Sequence, residues 1–168
     1  ALVLAAEGKT GPAVTCVTIG KVVDKGIKDA NNMGAAMAWA AYDTISQHLK
    51  DTKRSSSFYD LIVTGDLGKL GMEIVIDLFA ADGIELRGNY NDCGIMLFDL
   101  EGQDVHCGAS GCGCAASVLT GYLLNGMREG KWHNLLFCAT GALHSPTSLG
   151  QGESIPGICH AVAISTQK

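Results

Sequence analysis

The segment Met33-Gly34-Ala35-Ala36-Met37-Ala38-Trp39-Ala40-Ala41 constrains the fold more than any other part of the chain. Asn31 or Asn32 can cap a helix there that runs to about Leu49. Its first half is small or apolar on every side, and such a helix belongs inside a protein. A second helix, expected over Ala115 to Arg128, also buries most of its faces. Strands are expected at Leu2 to Ala6, Ala13 to Val23, Tyr59 to Thr64, Asn134 to Thr140 and Ile158 to Ser165. A further helix fills about Lys69 to Ala80, and loops take Asn91–Gly94, Asp104–Gly113 and Gly141–Gly157. This alternation predicts an α/β fold with a mixed five-stranded sheet and right-handed crossovers. Two helices that are apolar all round need cover on both sides. One sheet cannot supply it, so a second layered half is implied.

Composition narrows the function. The 168 residues are 47% apolar and 17% charged, which is a well-buried globular composition. A formal net charge of −5 argues against a general nucleic-acid binder. The longest basic grouping, Lys50 to Arg54, reads as a solvated helix end. Seven cysteines are an odd number in a chain of this size, so they read as reduced intracellular thiols. Ala1 to Ala6 is too short for a signal peptide and lacks a basic leader, and every apolar run is too short to span a bilayer. The chain starts without Met in what reads as a buried strand, which leads to the expectation of a fragment of a longer protein.

Chemistry concentrates at Gly111-Cys112-Gly113-Cys114-Ala115-Ala116-Ser117-Val118. A glycine-rich turn followed by small residues describes a tight loop feeding a helix, whose free amides suit an anion. The two thiols in the turn could also do chemistry, and close packing between layers would explain the glycines with no ligand at all. Cys93, His106, Cys107, Cys112 and Cys114 gather soft ligands. The Cys-x-Cys spacing is not that of a structural zinc pair, however, so buried small thiols are the default. His160 reads as a core histidine, Trp39 as core packing, Asp66 as a helix cap and Cys138 as a buried small hydrophobe.

These residues carry a resemblance. The order of elements resembles the C-terminal half of a thiolase fold, with residues 1–12 as the last strand and turn of the N-terminal half and 13–168 as the C-terminal half. Two segments resemble the stage V sporulation protein AD family more closely. They are Gly26-Ile27-Lys28-Asp29-Ala30-Asn31-Asn32-Met33-Gly34-Ala35-Ala36-Met37-Ala38, and the tail from Gly141 through His144-Ser145-Pro146-Thr147-Ser148 to Glu153-Ser154-Ile155-Pro156-Gly157. The resemblance covers essentially the whole chain.

The catalytic motifs of that superfamily are altered. Condensing enzymes of the β-ketoacyl synthase III type carry a His after a strand, where this chain has Gly65. They carry Gly-Asn-Thr-Ser-Ala-Ala-Ser where it has Gly111-Cys112-Gly113-Cys114-Ala115-Ala116-Ser117, so Cys112 replaces the Asn. A condensation oxyanion would then lack its donors. In Cys138-Ala139-Thr140-Gly141, Thr140 stands where degradative thiolases have a glycine.

The resemblance therefore implies a non-catalytic protein that binds dipicolinic acid, free or as its calcium chelate, for uptake into the developing spore. Under that reading Ser110, Gly111, Cys112, Gly113, Thr64, Asp66, His144 and Ser145 line one wall of the pocket. No cofactor or protein-bound metal is implied. The implied partners are the N-terminal half, other stage V sporulation A proteins and a second copy in a homodimer, with peripheral association at the spore inner membrane through partners. The rival reading is an acyl-thioester condensing or acyl-transfer enzyme using Cys112 or Cys138, since a helix N-terminus lowers a thiol pKa. A third is a structural subunit whose pocket is filled by its own side chains.

Overall fold

A computed structural model of the protein describes residues 2–6, 11–86 and 88–166. Five strands form one mixed sheet in the order β1-β5-β4-β2-β3. They are β1 (Pro12–Thr18), β2 (Leu61–Thr64), β3 (Tyr90–Asp92), β4 (Asn134–Ala142) and β5 (Gly157–Thr166). β2 runs parallel to β3 and β4, and β5 lies antiparallel between β4 and β1. The α/β class and the mixed five-stranded sheet are thus as the sequence predicts. The fifth strand, however, is Tyr90–Asp92 rather than Leu2–Ala6. Residues 2–6 pair with no described strand, and Leu2, Val3 and Leu4 are exposed. The expected turn over 7–12 lies mostly outside the described residues.

Both faces of the central strands are covered, which is why they read as unbroken apolar runs. On one face Ile62, Leu136, Cys138, Cys159, Ala161 and Ala163 pack with α1 (Met33–Thr52) and α2 (Gly68–Ala81). On the other, Leu61, Val63, Leu135, Phe137 and Ile164 pack with Val118, Leu123, Leu124 and Met127. These last belong to a continuous rod made of α4 (Cys114–Val118), a π-helical turn (Leu119–Leu123) and α5 (Leu124–Arg128). A short α3 (Cys93–Met96) follows β3, and α6 (Pro146–Gly150) interrupts the β4–β5 connection.

Three readings of buried positions change. The rod from Cys114 to Arg128 does not bury most of its faces, because Ala116, Ser117, Gly121, Tyr122 and Asn125 are exposed. The same side of the sheet is only partly covered at β1, where Val14 and Val17 are 52% and 61% exposed although α5 approaches that strand. Trp39 is half-buried and capped by the Lys25 ammonium 4.5 Å from its ring, rather than buried in the core. His160 is exposed, not a core histidine, and its Nδ1 accepts from the Gly20 amide at 3.1 Å. A β5 residue that faces uncovered sheet meets solvent even when its neighbours in sequence are apolar.

The Asn32 side chain caps α1, accepting from the Ala35 amide at 3.2 Å. Directly after this cap, α1 touches the turn that opens α2. A Cβ on Gly34 would lie 2.2 Å from the Leu67 carbonyl oxygen, and one on Gly71 would lie 2.9 Å from the Gly34 oxygen. Backbone cannot yield as a flexible side chain can. Gly34→Val is therefore expected to cost about 3 kcal/mol by overpacking, well above the gain from losing a helical glycine. Urea denaturation of the variant against wild type measures it, and an unchanged midpoint would mean that the two elements slide apart freely.

Candidate functional site

The parallel strands β2 and β4 bring their C-terminal ends to one edge of the sheet, where open α/β sheets commonly bind ligands. Two carboxylates organise this edge, and they work differently.

Asp92 is fully buried at the end of β3. Its Oδ2 accepts from Thr64 Oγ1 at 2.7 Å and from the Leu67 amide at 2.9 Å. Its Oδ1 accepts from the amides of Gly68 and Gly94, both at 2.9 Å. One side chain thus caps α2 from a distance and α3 from its own N-cap position. Burial pushes the Asp92 carboxyl above the usual range, while the Thr64 hydroxyl and the three amides pull it back.

Asp66, half-buried two residues beyond β2, faces outward. Its Oδ1 accepts from Thr140 Oγ1 at 2.9 Å. Its Oδ2 accepts from Ser110 Oγ at 3.1 Å and from the Gly111 amide at 2.9 Å. Thr140 Oγ1 in turn accepts from the Asp66 amide at 3.2 Å, so β2 and β4 are stitched at this point. The glycine-rich loop is thereby clasped from behind, and Ser110, Gly111, Cys112 and Gly113 present an exposed edge. Asp66 is not a helix cap; α2 starts at Gly68 and Asp92 does that work.

Of the candidate residues, Ser110, Gly111, Cys112, Gly113 and Asp66 are brought together. Thr64 is not at the surface. It is fully buried and engaged with Asp92 and with the Tyr90 hydroxyl at 3.0 Å, so it supports the site from beneath instead of lining it. His144 and Ser145 lie on a separate stretch of the β4–β5 connection. His144 Nε2 meets the Ala30 carbonyl at 3.1 Å, and the Ser145 hydroxyl caps α6 by accepting from the Ser148 amide at 3.4 Å. Neither bonds to the Asp66 cluster. Asp92 and Thr140 were not among the sequence-derived candidates. A lone Asp in a loop-like run carries no local sign of burial, and Thr140 was visible only as a departure from a glycine.

Gly65 lies directly against this stitch. A Cβ there would lie 2.6 Å from Thr140 Oγ1 and 3.0 Å from the Thr140 amide nitrogen. The space that a side chain at position 65 would need is thus filled by the threonine that binds Asp66.

The thiols divide by exposure. Cys138 is fully buried and its thiol is pushed up, first by burial and then by its neighbour Cys159. Cys93 is likewise raised by burial. Cys114 is raised to about 11 by burial, with Asp66 and Asp92 adding to it. Cys112 is exposed. Among the described residues no group of three or more His, Cys, Asp or Glu is arranged to hold a metal ion.

Two comparisons of sequence point to one family. Residues 1–165 match the sequence profile described as stage V sporulation protein AD. The chain is 46% identical over 149 residues to stage V sporulation protein AD of Bacillus subtilis (strain 168), covering 89% of this chain and 44% of that protein. The chain therefore spans less than half the length of this curated relative. Among solved structures it is similar to 3-oxoacyl-[acyl-carrier-protein] synthase III from Aquifex aeolicus VF5, at 14% identity and a TM-score of 0.46 over 95% of this chain and 54% of that one. A priming β-ketosynthase of a polyketide biosynthetic pathway matches at 11% identity and a TM-score of 0.44, over 98% and 52%. On the match along residues 1–165, the chain belongs to the stage V sporulation protein AD family.

Proposed function

We propose that this chain serves sporulation as one wall of a non-catalytic binding site for dipicolinic acid (pyridine-2,6-dicarboxylate). Family membership supports the role in sporulation. The ligand reading rests on the clasped loop, because Asp66 fixes Ser110 and Gly111 from behind and leaves the small edge Ser110–Gly113 outward. Small residues let a planar ring approach backbone closely. The same clasp favours the calcium chelate over the free dianion. The Asp66 carboxylate already occupies the Ser110 and Gly111 donors, and it would repel an uncompensated ligand carboxylate. Calcium takes oxygen ligands, so a metal that arrives on the ligand turns that repulsion into attraction.

The open face of the Cys114–Arg128 rod and the exposed valines of β1 are where the other half of the family's chain would pack. Its covering would complete the pocket. Among the described residues no helix is long and apolar enough to cross a membrane. We place the protein at the spore inner membrane through other stage V sporulation A proteins.

Calorimetric titration of dipicolinate, with and without calcium, into the protein carrying this chain and its N-terminal half tests the reading. Saturable binding is expected, stronger with calcium, and weakened at least about tenfold in Asp66→Ala and Ser110→Ala. A His144→Ala variant with unchanged affinity would confine the site to the first loop. Absence of heat together with acyl-thioester turnover would replace this reading with the enzymatic one. Cys112 would then be the thiol to examine, since Cys138 is sealed in the core.

A further inference from the structure

Beneath the last turns of α1 runs a buried polar chain that the candidate site does not use. His48 is wholly buried. Its Nδ1 lies 2.8 Å from Thr18 Oγ1 on β1, and its Nε2 lies 2.6 Å from the Tyr59 hydroxyl. Tyr59, 2% exposed, also accepts from Nη1 of Arg54 at 3.0 Å. A guanidinium can only donate, so the Tyr59 oxygen accepts from Arg54, which leaves its single proton free to point at Nε2. The ring is then neutral, with its proton on Nδ1 donated to Thr18. Arg54 also stacks on Phe58, its guanidinium carbon 4.3 Å from the ring centre. It lines the open cleft between the ends of α1 and α2 beside Lys50 and Lys53.

We infer that His48 is an acid-operated latch on Arg54. Neutral, the ring takes the Tyr59 proton and leaves the Tyr59 oxygen to the guanidinium. Protonated from solvent, it donates from Nε2 to that oxygen, the Tyr59 hydroxyl proton swings to the place Arg54 held, and Arg54 moves out into the cleft.

The groups that face this chain come from every element around it. Arg54 and Tyr59 follow α1 and Asp51 stands on its last turn. The thiols of Cys16 on β1 and Cys138 on β4 act on Tyr59. Burial, and then the Arg54 charge, hold the His48 pKa below its usual 6.5, and Asp51 opposes them. Below 6.5 the unfolded chain therefore binds a proton that the latched state does not. The latched state is at full strength above that pH and weakens as pH falls through the lowered value.

The turn after α1 is held by amide bonds from Lys53, Arg54, Phe58 and Tyr59, so its opening can be read by hydrogen exchange. In the protein carrying this chain, exchange of residues 53–60 between about pH 7.5 and about pH 5 is measured, corrected for intrinsic rates. It is expected to accelerate at least about tenfold relative to the interior of α1. His48→Gln keeps an oxygen for the Tyr59 proton and an amide for Thr18, and should abolish the acid response. Arg54→Met should exchange fast at both pH values, which keeps the test open if the first variant fails to fold. Equal protection of 53–60 at both pH values in wild type, or loss only together with the α1 interior, would overturn the latch.

Discussion

Asp92→Ala is expected to lower the stability of the fold by about 4 kcal/mol, the range seen when one partner of a buried charged interaction is removed. The substitution leaves the amides of Leu67, Gly68 and Gly94 without their acceptor and takes from the Thr64 hydroxyl its closest one. Asp92 is fully buried, so water reaches these groups only after the structure loosens. A whole domain is stable by only about 5–15 kcal/mol, and this one side chain then accounts for a large share. Asp92→Asn separates charge from geometry. Its single oxygen can serve two amides, but its amide group turns a donor toward at least one other donor, so a loss of about 2 kcal/mol is expected. Urea denaturation gives both values, with the midpoint shifting and the slope unchanged. A loss below about 1 kcal/mol for Asp92→Ala would mean that water replaces the carboxylate and that the buried network is not what joins the start of α2 to β3.

Why this hub escaped a reading of the sequence is physical. Periodicity and small-residue content mark elements whose burial follows from their own side chains. The α1 helix, with Ala36, Ala38, Ala40 and Ala41 buried, was legible for that reason, and so were β2, α2, β4 and β5. β3 has only three residues and runs into Asn91-Asp92-Cys93-Gly94, which reads as a loop. Its strand character comes from pairing with β2, so it is a property of the assembled sheet. The open side of the Cys114–Arg128 rod was missed for the opposite reason. Small residues look buried in any sequence, yet Ala116 and Gly121 are exposed here. The glycine-rich loop is visible in the sequence as a candidate, but its clasp is not, since Asp66, Ser110 and Thr140 are far apart in the chain. His144 and Ser145 were grouped with it by their place after β4. The structure ties them to Ala30 and to α6 instead.

The sharpest test of the edge beyond β2 is a double-mutant cycle on Gly65 and Thr140. Gly65→His places an imidazole at this edge, and its Cβ would meet Thr140 Oγ1 at 2.6 Å and the Thr140 amide at 3.0 Å. A destabilisation of about 3 kcal/mol is expected from overpacking. Thr140→Gly alone removes a donor to Asp66 and adds a flexible residue to β4, at an expected cost of about 2 kcal/mol. If the two positions form one packing unit, the double variant costs less than the sum, because the glycine clears the side-chain part of the clash. A coupling of about 1–2 kcal/mol is expected, read from urea midpoints of the four proteins. The remaining penalty comes from the amide nitrogen, which no substitution at 140 removes. Strict additivity would mean that the backbone after β2 shifts to admit the histidine. The glycine at 65 would then be a free choice, where the structure has Thr140 filling its space to hold Asp66 and, through it, the Ser110–Gly111 loop.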